Sequence, residues 1–547
     1  VLSFFLNKKI EKIFFLIMIG NNIIYFVKTI KSMTCVRNGE DCCKKLVEVT
    51  NSKIKAYQGW CPSVGLDEKQ YQLEGIKWCI HRELVNKSGG GIIADEMGLG
   101  KTILMIACIR HNFQPRTLIV LPPALLQQWV GVFQRFLGHT PFVYHGSKAK
   151  NITVEKLMQK AIVITTYGMI TPRTDKQSKT VTYSKLHKVE WSRIIYDEAH
   201  HLRNLKAKVH DGAQKLKANI RWMVTGTPIN NNIKDLYALF KILGLGEVFT
   251  PKKEDIKRLL RIYLLRRTKA QVGIKLPPIT NKLIEVEWAS EEERDMATDI
   301  HANQPFASVN KDNVDGIIAW LNRHPLAALT RARQICIYPQ LLHKAVEKMK
   351  KEGYIPRDVN IKDIKTNSKI DAIVKQITAN RRSGKRKLVF SYYHGEIDVL
   401  KLVLEANGMT VQTIDGRTKT RDKHQRVLPI VNESQFRSVC KVWKTLPDEM
   451  FGVINSFISP EVMIVQIQTA CEGLNMQHFQ EIYFTSPHWN PAVEDKAVAR
   501  AHRIGQDKAV DVYRFVMNGF SRNSISLDQY CSQVQDRKRE VMKIITF

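Results

Sequence analysis

The chain has 547 residues, 44% apolar and 25% charged, and Lys plus Arg exceed Asp plus Glu by 84 to 52, a formal net charge of +32. Such a length holds two or three domains with well-buried cores, and the composition excludes a disordered chain. The positive balance favours a polyanionic partner through counterion release, although the excess of Lys over Arg and the frequent Ile, Asn and Phe are also what AT-rich coding produces.

The first apolar stretch, Ile13 to Val27, is broken by Gly20-Asn21-Asn22 and falls short of the roughly 18 to 20 apolar residues of a membrane span. The chain begins with Val, and Met33 stands just before ordinary globular sequence, so residues 1–32 read as upstream reading frame or as an appended hydrophobic arm, within an N-terminal extension of residues 1–59. The cluster Cys35, Cys42, Cys43 and Cys61 lacks paired CxxC spacing, which points to reduced thiols and no structural zinc.

A phosphate-binding pattern follows. The apolar run Gly90 to Ile93 leads into Asp95-Glu96-Met97-Gly98-Leu99-Gly100-Lys101-Thr102 and then an apolar helix start. Gly98 and Gly100 let backbone N–H groups turn toward phosphates, Lys101 reaches the β- and γ-phosphates, and Thr102 offers a hydroxyl to Mg²⁺ at a helix N-terminus. Asp95 stands where the generic pattern has its first glycine.

Further along, Trp191 to Tyr196 reads as a buried strand ending in Asp197-Glu198-Ala199-His200. Ligands of open parallel sheets sit at the carboxyl ends of strands, so Asp197 is the candidate Mg²⁺ ligand and Glu198 the candidate that polarises water. Together with the runs at Thr117–Leu121, Ala161–Thr165 and Trp222–Thr225, these residues predict a first α/β lobe over 60–285. Residues 286–365 are charged and helix-prone, opening with an acidic first turn behind the capping Ser290. A second set of apolar runs, Arg386–Ser391, Val411–Ile414, Val462–Ile467 and Glu481–Phe484, predicts a second α/β lobe over 366–530, with a tail over 531–547. Near its end Arg500 and Arg503 lie three positions apart and project from one helix face. Supplied across a cleft, they would neutralise charge developing at a γ-phosphate, and hydrolysis would then depend on lobe closure.

From about Leu66 to Phe515 these blocks resemble the Swi/Snf family of helicase-related ATPases, whose phosphate loop reads DEMGLGKT as Asp95 to Thr102 do. The resemblance implies two RecA-like parallel-sheet lobes with a helical insertion, ATP and Mg²⁺ as the nucleotide and its ion, and sequence-independent movement along duplex DNA. By the same resemblance Gln72 recognises adenine. Thr225-Gly226-Thr227, Gly473 and Gln506 couple nucleotide state to lobe geometry, and Pro122, Thr166, Ser391 and Asn475 contact DNA. Leu264 to Lys269, Asp415-Gly416, Trp489-Asn490-Pro491 and Arg500 to Gln506 also match. Trp129 and Trp489 read as packing residues.

Arg331 to Leu342 and Ser368-Lys369-Ile370 resemble the branch of repair translocases with ubiquitin-ligase inserts, but residues 343–367 contain no cysteine for a RING. Two departures stand out: Ala470-Cys471 where paired glycines are frequent, and Lys496 where a glutamine is frequent. Pro429 to Phe457 matches poorly. The expectation is an ATP-dependent translocase that remodels or displaces nucleosomes, polymerase or repair complexes on DNA. Its expected place is the nucleus, or the cytoplasm or virion of a large DNA virus. The alternatives are a strand-separating DNA or RNA helicase and an inactive nucleic-acid-binding scaffold.

Overall fold

Runs of Val, Ile, Leu and Phe that are apolar at every position, rather than at alternate ones, form strands buried on both faces. The computed structural model describes residues 12–19, 22–29, 39–85, 89–175, 177–229, 233–245, 253–302, 326–343, 347, 351, 364–418, 460–470, 474, 476–521 and 524–543. Gly473, Asn475 and the segment 429–457 lie outside the described residues.

The chain divides into two compact units. In the first, residues 1–89 and 107–113, strands β1 (Lys12–Ile19) and β2 (Asn22–Thr29) form an antiparallel hairpin, followed by helices Gly39–Ser63 and Gln70–Val85. Tyr57, Cys61, Ile76, Cys79 and Ile80 are fully buried, and Asn112 donates to the Glu83 carboxylate at 2.6 Å.

The second unit holds two parallel sheets. The first contains β3 (Gly89–Ile93), β4 (Thr117–Leu121), β5 (Phe142–Tyr144), β6 (Ile162–Thr166), β9 (Glu190–Asp197), β10 (Lys217–Val224) and β11 (Leu264–Leu265), in the order β11-β3-β10-β9-β4-β6-β5. A short antiparallel pair, β7 (Arg173–Thr174) and β8 (Val181–Thr182), stands apart from it. The second sheet contains β12 (Ile279–Val286), β13 (Lys387–Ser391), β14 (Val411–Ile414), β15 (Val462–Gln466), β16 (Glu481–Phe484) and β17 (Val510–Met517). Its order is β12-β17-β16-β13-β15-β14, and all five pairings are parallel.

Alternation explains the unbroken apolar runs. Val389, Ile464, Tyr483 and Phe515 enter one core with Ile335, Ile373, Leu400 and Tyr530. Leu388, Phe390, Met463, Val465 and Ile482 enter another with Met476, Ala497 and Ala501. Each face needs its own apolar cover because parallel strands require crossover connections, which lay helices on both sides.

Two expected boundaries move. Residues 279–285, placed in the first lobe by sequence, form the edge strand β12 of the second sheet, paired with β17 from Ile279↔Val510 to Val286↔Met517. Much of β12 is exposed, so its sequence is polar and does not announce a strand. The expected insertion is not a separate body in its described parts, since Ala297, Ala332, Ile335 and Cys336, from helices Glu291–Ala302 and Leu326–Ile337, enter the second-lobe core. Ser290 caps the first of these, its Oγ accepting from Glu293 N at 3.2 Å. The expected tail also begins late, because helix Leu527–Lys543 places Tyr530, Cys531 and Val534 in that core.

Ser368 and Lys369 open helix Ser368–Ala379 at the centre of this packing. Lys369 Nζ pairs with Asp528, both 1% exposed, while Asp528 also accepts from Ser486 Oγ at 2.6 Å and Met517 N at 3.1 Å. Lys369→Ala leaves a carboxylate in the core without its cation, and is expected to lower unfolding free energy by about 3–5 kcal/mol in a urea titration.

Candidate functional site

The phosphate loop is held by a strand the sequence reading did not contain. β11 pairs parallel with β3, Ala94 N donates to Leu265 O at 2.7 Å, and Glu96 N donates to Arg267 O at 2.9 Å. Side chains repeat the pattern: Arg267 Nε donates to Asp95 Oδ1 at 3.0 Å with a second contact through Nη2, and Lys269 Nζ meets Glu96 Oε1 at 3.1 Å. Asp95 is 1% exposed, so the residue in the first-glycine slot is a buried anchor for the loop, paired with an arginine 172 positions away. Gly98 (φ 94°) and Gly100 (φ 79°) adopt the left-handed conformations that only glycine takes without strain.

Lys101 begins helix Lys101–His111, and its Nζ donates to Asp95 O at 2.7 Å and Glu96 O at 3.3 Å. Burial lowers the proton affinity of this ammonium, against the pull of Glu198, Asp95 and Asp197. Thr102 sits in the first turn of the same helix. The loop after β10 closes over the lysine, since a Cβ added at Gly226 would lie 3.1 Å from Met97 Cγ and 3.6 Å from Lys101 Nζ. Within that loop Thr225 is fully buried and accepts from Thr227 N at 3.2 Å, while Thr227 Oγ1 is buried with no hydrogen-bond partner among the described residues. Of the expected coupling residues, Gly226 lies against Met97 and Lys101 of the phosphate loop, and Thr225 N donates to Ile93 O at the end of β3 at 3.0 Å.

β9 ends in Asp197, and Glu198 follows in a left-handed conformation (φ 50°, ψ 47°), rare for a side chain with a Cβ. Asp197 Oδ2 accepts from Trp129 Nε1 at 2.7 Å and Oδ1 from Glu198 N at 2.9 Å, while Tyr167 Oη donates to the Asp197 carbonyl at 2.6 Å. Burial, and then the adjacent Glu198 carboxylate, push the Asp197 carboxyl up to about 6. Burial also acts to raise Glu198, but the Lys496 ammonium, the His200 hydrogen bond and Arg500 outweigh it and hold that carboxyl well below the usual range.

The cations come from the second lobe. Helix Pro491–Ala501 starts at the Asn490 cap, whose side chain accepts from Ala492 N. It carries Lys496 Nζ to 3.1 Å from Glu198 Oε2. Beyond its end, Arg503 Cβ lies 3.9 Å from where a Cβ at Gly98 would sit, and Lys269 Nζ donates to His502 O at 3.2 Å. Arg503 Nε is buried without a hydrogen-bond partner among the described residues, and burial together with Arg500 lowers the proton affinity of its guanidinium. Asp95, Gly98, Gly100, Lys101, Thr102, Asp197, Glu198, Arg500 and Arg503 thus gather around one cleft.

Other expectations land elsewhere. Gln506, expected in coupling, donates to Gln477 O at 2.7 Å, Phe479 O at 3.1 Å and Ala501 O at 3.3 Å, so its amide fastens the arginine turn within the second lobe. Pro122 is buried, Thr166 is 2% exposed and bonded to His145 Nδ1 at 3.1 Å, and Ser391 is fully buried. These three side chains, expected to contact DNA, are buried at strand ends. Gln72 lies on helix Gln70–Val85 of the first compact unit, where it is buried. Trp489 packs on Tyr530 and under the Arg333 guanidinium, as its reading as a packing residue requires. Two functional side chains were missed. Trp129, also read as packing alone, holds a carboxylate; the available signal was that a buried indole N–H needs an acceptor. Lys496 was seen only as a departure, although a cation at that helical position had to find an anion.

Two family models match consecutive parts of the chain, SNF2-related domain over residues 71–341 and Helicase conserved C-terminal domain over residues 368–505. An uncharacterized ATP-dependent helicase of Mycoplasma genitalium is 27% identical over 87% of this chain and 42% of its own length. The DNA excision repair protein ERCC-6-like of Danio rerio is 24% identical over 86% of this chain and 36% of its own. The chain thus spans well under two thirds of these relatives. A solved SWI2/SNF2 ATPase core of Sulfolobus solfataricus in complex with dsDNA aligns at 22% identity and a TM-score of 0.35, covering 88% of this chain and 92% of that one.

The Asp95–Arg267 pair generates a stability prediction independent of any ligand. Arg267→Ala is expected to cost about 3 kcal/mol or more in equilibrium denaturation by leaving the buried Asp95 carboxylate uncompensated. Combining it with Asp95→Asn should recover part of that loss.

Proposed function

We infer the function from one premise: the chain belongs to the SNF2-related, or Swi/Snf, family of helicase-like ATPases. It hydrolyses ATP, and it couples that hydrolysis to movement along duplex DNA so as to remodel or displace bound protein complexes. The observation that carries this reading is the approach of one lobe to the other's active residues, with Lys496 3.1 Å from Glu198 and the Arg503 backbone turn against Gly98. A phosphate loop that meets second-lobe cations can tie hydrolysis to lobe closure.

ATP is the substrate. Its phosphates are bound by the loop N–H groups and by Lys101, which exchanges the Asp95 and Glu96 carbonyls for phosphate oxygens. The oxygen donors of Thr102 and Asp197, the latter steadied by Trp129 and the Glu198 amide, suit a hard divalent cation. Mg²⁺ bound there supplies neutralisation of phosphate charge. Glu198 orients a water whose oxygen attacks the γ-phosphorus while the bond to the ADP oxygen breaks and ADP leaves with the electron pair. The water proton passes to Glu198 and on to the released phosphate. Arg500 and Arg503 stabilise the charge that builds on the transferring group.

A duplex partner is supported by the name of the Danio rerio relative, which places that protein in DNA excision repair, and by the charge of +32. Phosphate contacts give affinity without sequence preference, which suits a motor that must step along any sequence. The testing experiment compares phosphate release with duplex DNA, single-stranded DNA and RNA. Duplex DNA is expected to stimulate most, and strand release from a forked duplex in the same assay would instead support a strand-separating helicase. Arg503→Ala is expected to bind ATP with unchanged affinity while DNA-stimulated turnover falls by about 10³-fold, within the range of an arginine supplied to a phosphoryl-transfer site. Lys101→Ala should abolish stimulated hydrolysis, and Glu198→Gln should reduce it ~10²–10⁴-fold, to a residual rate that single-turnover measurement still reads.

A further inference from the structure

Among the described residues, Lys496 is a buried cation without a counterion on its own lobe. Its side chain is 7% exposed, and the polar contacts of its ammonium are Glu198 Oε2 at 3.1 Å, His200 Nδ1 at 3.4 Å and His200 Nε2 at 3.5 Å. All lie beyond the carboxyl end of β9 in the opposite lobe. An ammonium removed from water costs several kcal/mol unless it is paired, so helix Pro491–Ala501 can bury Lys496 only when the two lobes are in contact. His200 Nδ1 lies 3.1 Å from the same Oε2. Both contacts of the Glu198 carboxylate with these partners therefore converge on one oxygen, and the group is already constrained by its left-handed backbone.

We propose that Lys496 is a positioning residue that grips Glu198 Oε2 across the closed cleft and thereby turns Oε1 toward the attacking water. In a largely dissociative phosphoryl transfer, placement of the water matters more than basicity of the group that receives its proton. A carboxylate held at one oxygen by a cation from the other lobe is aligned when the lobes meet and free to rotate when they part. Lys496 thus adds a closure requirement distinct from that of Arg500 and Arg503: the arginines act on the phosphate, and the lysine acts on the carboxylate. His200 supplies the contact that persists within the first lobe. Arg500, Lys101 and Asp197 are the other charged groups that act on Glu198.

The inference rests on the ATPase reading, and one set of measurements separates the two. Wild type, Lys496→Ala, Lys496→Arg and each change in a Glu198→Gln background are compared in DNA-stimulated and single-turnover hydrolysis, with ATP affinity measured by fluorescent-nucleotide titration. Lys496→Ala is expected to lower kcat about tenfold, a fraction of the ~10²–10⁴-fold that a positioned base supplies, with ATP affinity unchanged. Lys496→Arg should stay within about threefold of wild type. In the Glu198→Gln background Lys496→Ala should have no further effect on single-turnover rate, because it acts only through that carboxylate. An unchanged kcat in Lys496→Ala, a loss of ATP affinity that accounts for the slower rate, or a full tenfold loss persisting beside Glu198→Gln would overturn the assignment. Absence of ATP hydrolysis in the wild type with every nucleic acid would overturn the ATPase reading itself.

Discussion

Carboxylates buried at the mouths of parallel strands are the constraint around which this molecule is arranged. Asp95 follows β3, and Asp197 and Glu198 end β9; each sits where a nucleotide must be held, and each would be costly alone. The chain resolves this with donors brought from far along the sequence. Arg267 and Lys269 return beside β11 to hold Asp95 and Glu96, Trp129 reaches Asp197 from the helix after β4, and Lys496 reaches Glu198 from the other lobe. The result is a graded set of restraints. The first two are built into one lobe and persist, whereas the last exists only in contact between lobes.

That grading gives the cleft a mechanical character. The Arg267 and Lys269 segment touches the phosphate loop on one side and, through Lys269 Nζ, the His502 carbonyl on the other. It therefore links the phosphate loop, by an ion pair, to the turn that carries the arginines, by a hydrogen bond. On the second lobe, Gln506 pins this turn by three backbone carbonyls, so a shift of the turn must move its surroundings as one body. Gln506, expected in coupling, makes the arginine-bearing turn rigid.

Much of this was legible in the sequence, for physical reasons that differ by element. Strands β14 and β16 have the predicted bounds, Val411–Ile414 and Glu481–Phe484; β16 is buried at every position, whereas β14 is a half-buried edge strand marked only by its β-branched Val411, Thr413 and Ile414. β12 left no unbroken apolar run: its outer positions are wet, and Thr280, Asn281 and Lys282 interrupt its apolar residues. β11 has two residues, below any periodicity, yet it sets the phosphate loop. The ionisable residues of the site were found because phosphate chemistry requires them at the loop and strand ends. Their holders, Trp129 and Arg267, were not assigned those roles, since a partner 68 or 172 residues away leaves no local pattern.

The same distinction explains why three expected DNA contacts fell inside the protein. Pro122 follows β4, Thr166 ends β6 and Ser391 ends β13, and each side chain is buried there. Lys496 shows the converse. Viewed along the sequence it is a substitution in a helix; across the cleft it is the counterion of the carboxylate that orients water. In the proposed mechanism, a carboxylate aligned from the far lobe does not need to be well placed in isolation. Productive alignment is gained at the moment of closure, when water is also excluded and charge attraction strengthens.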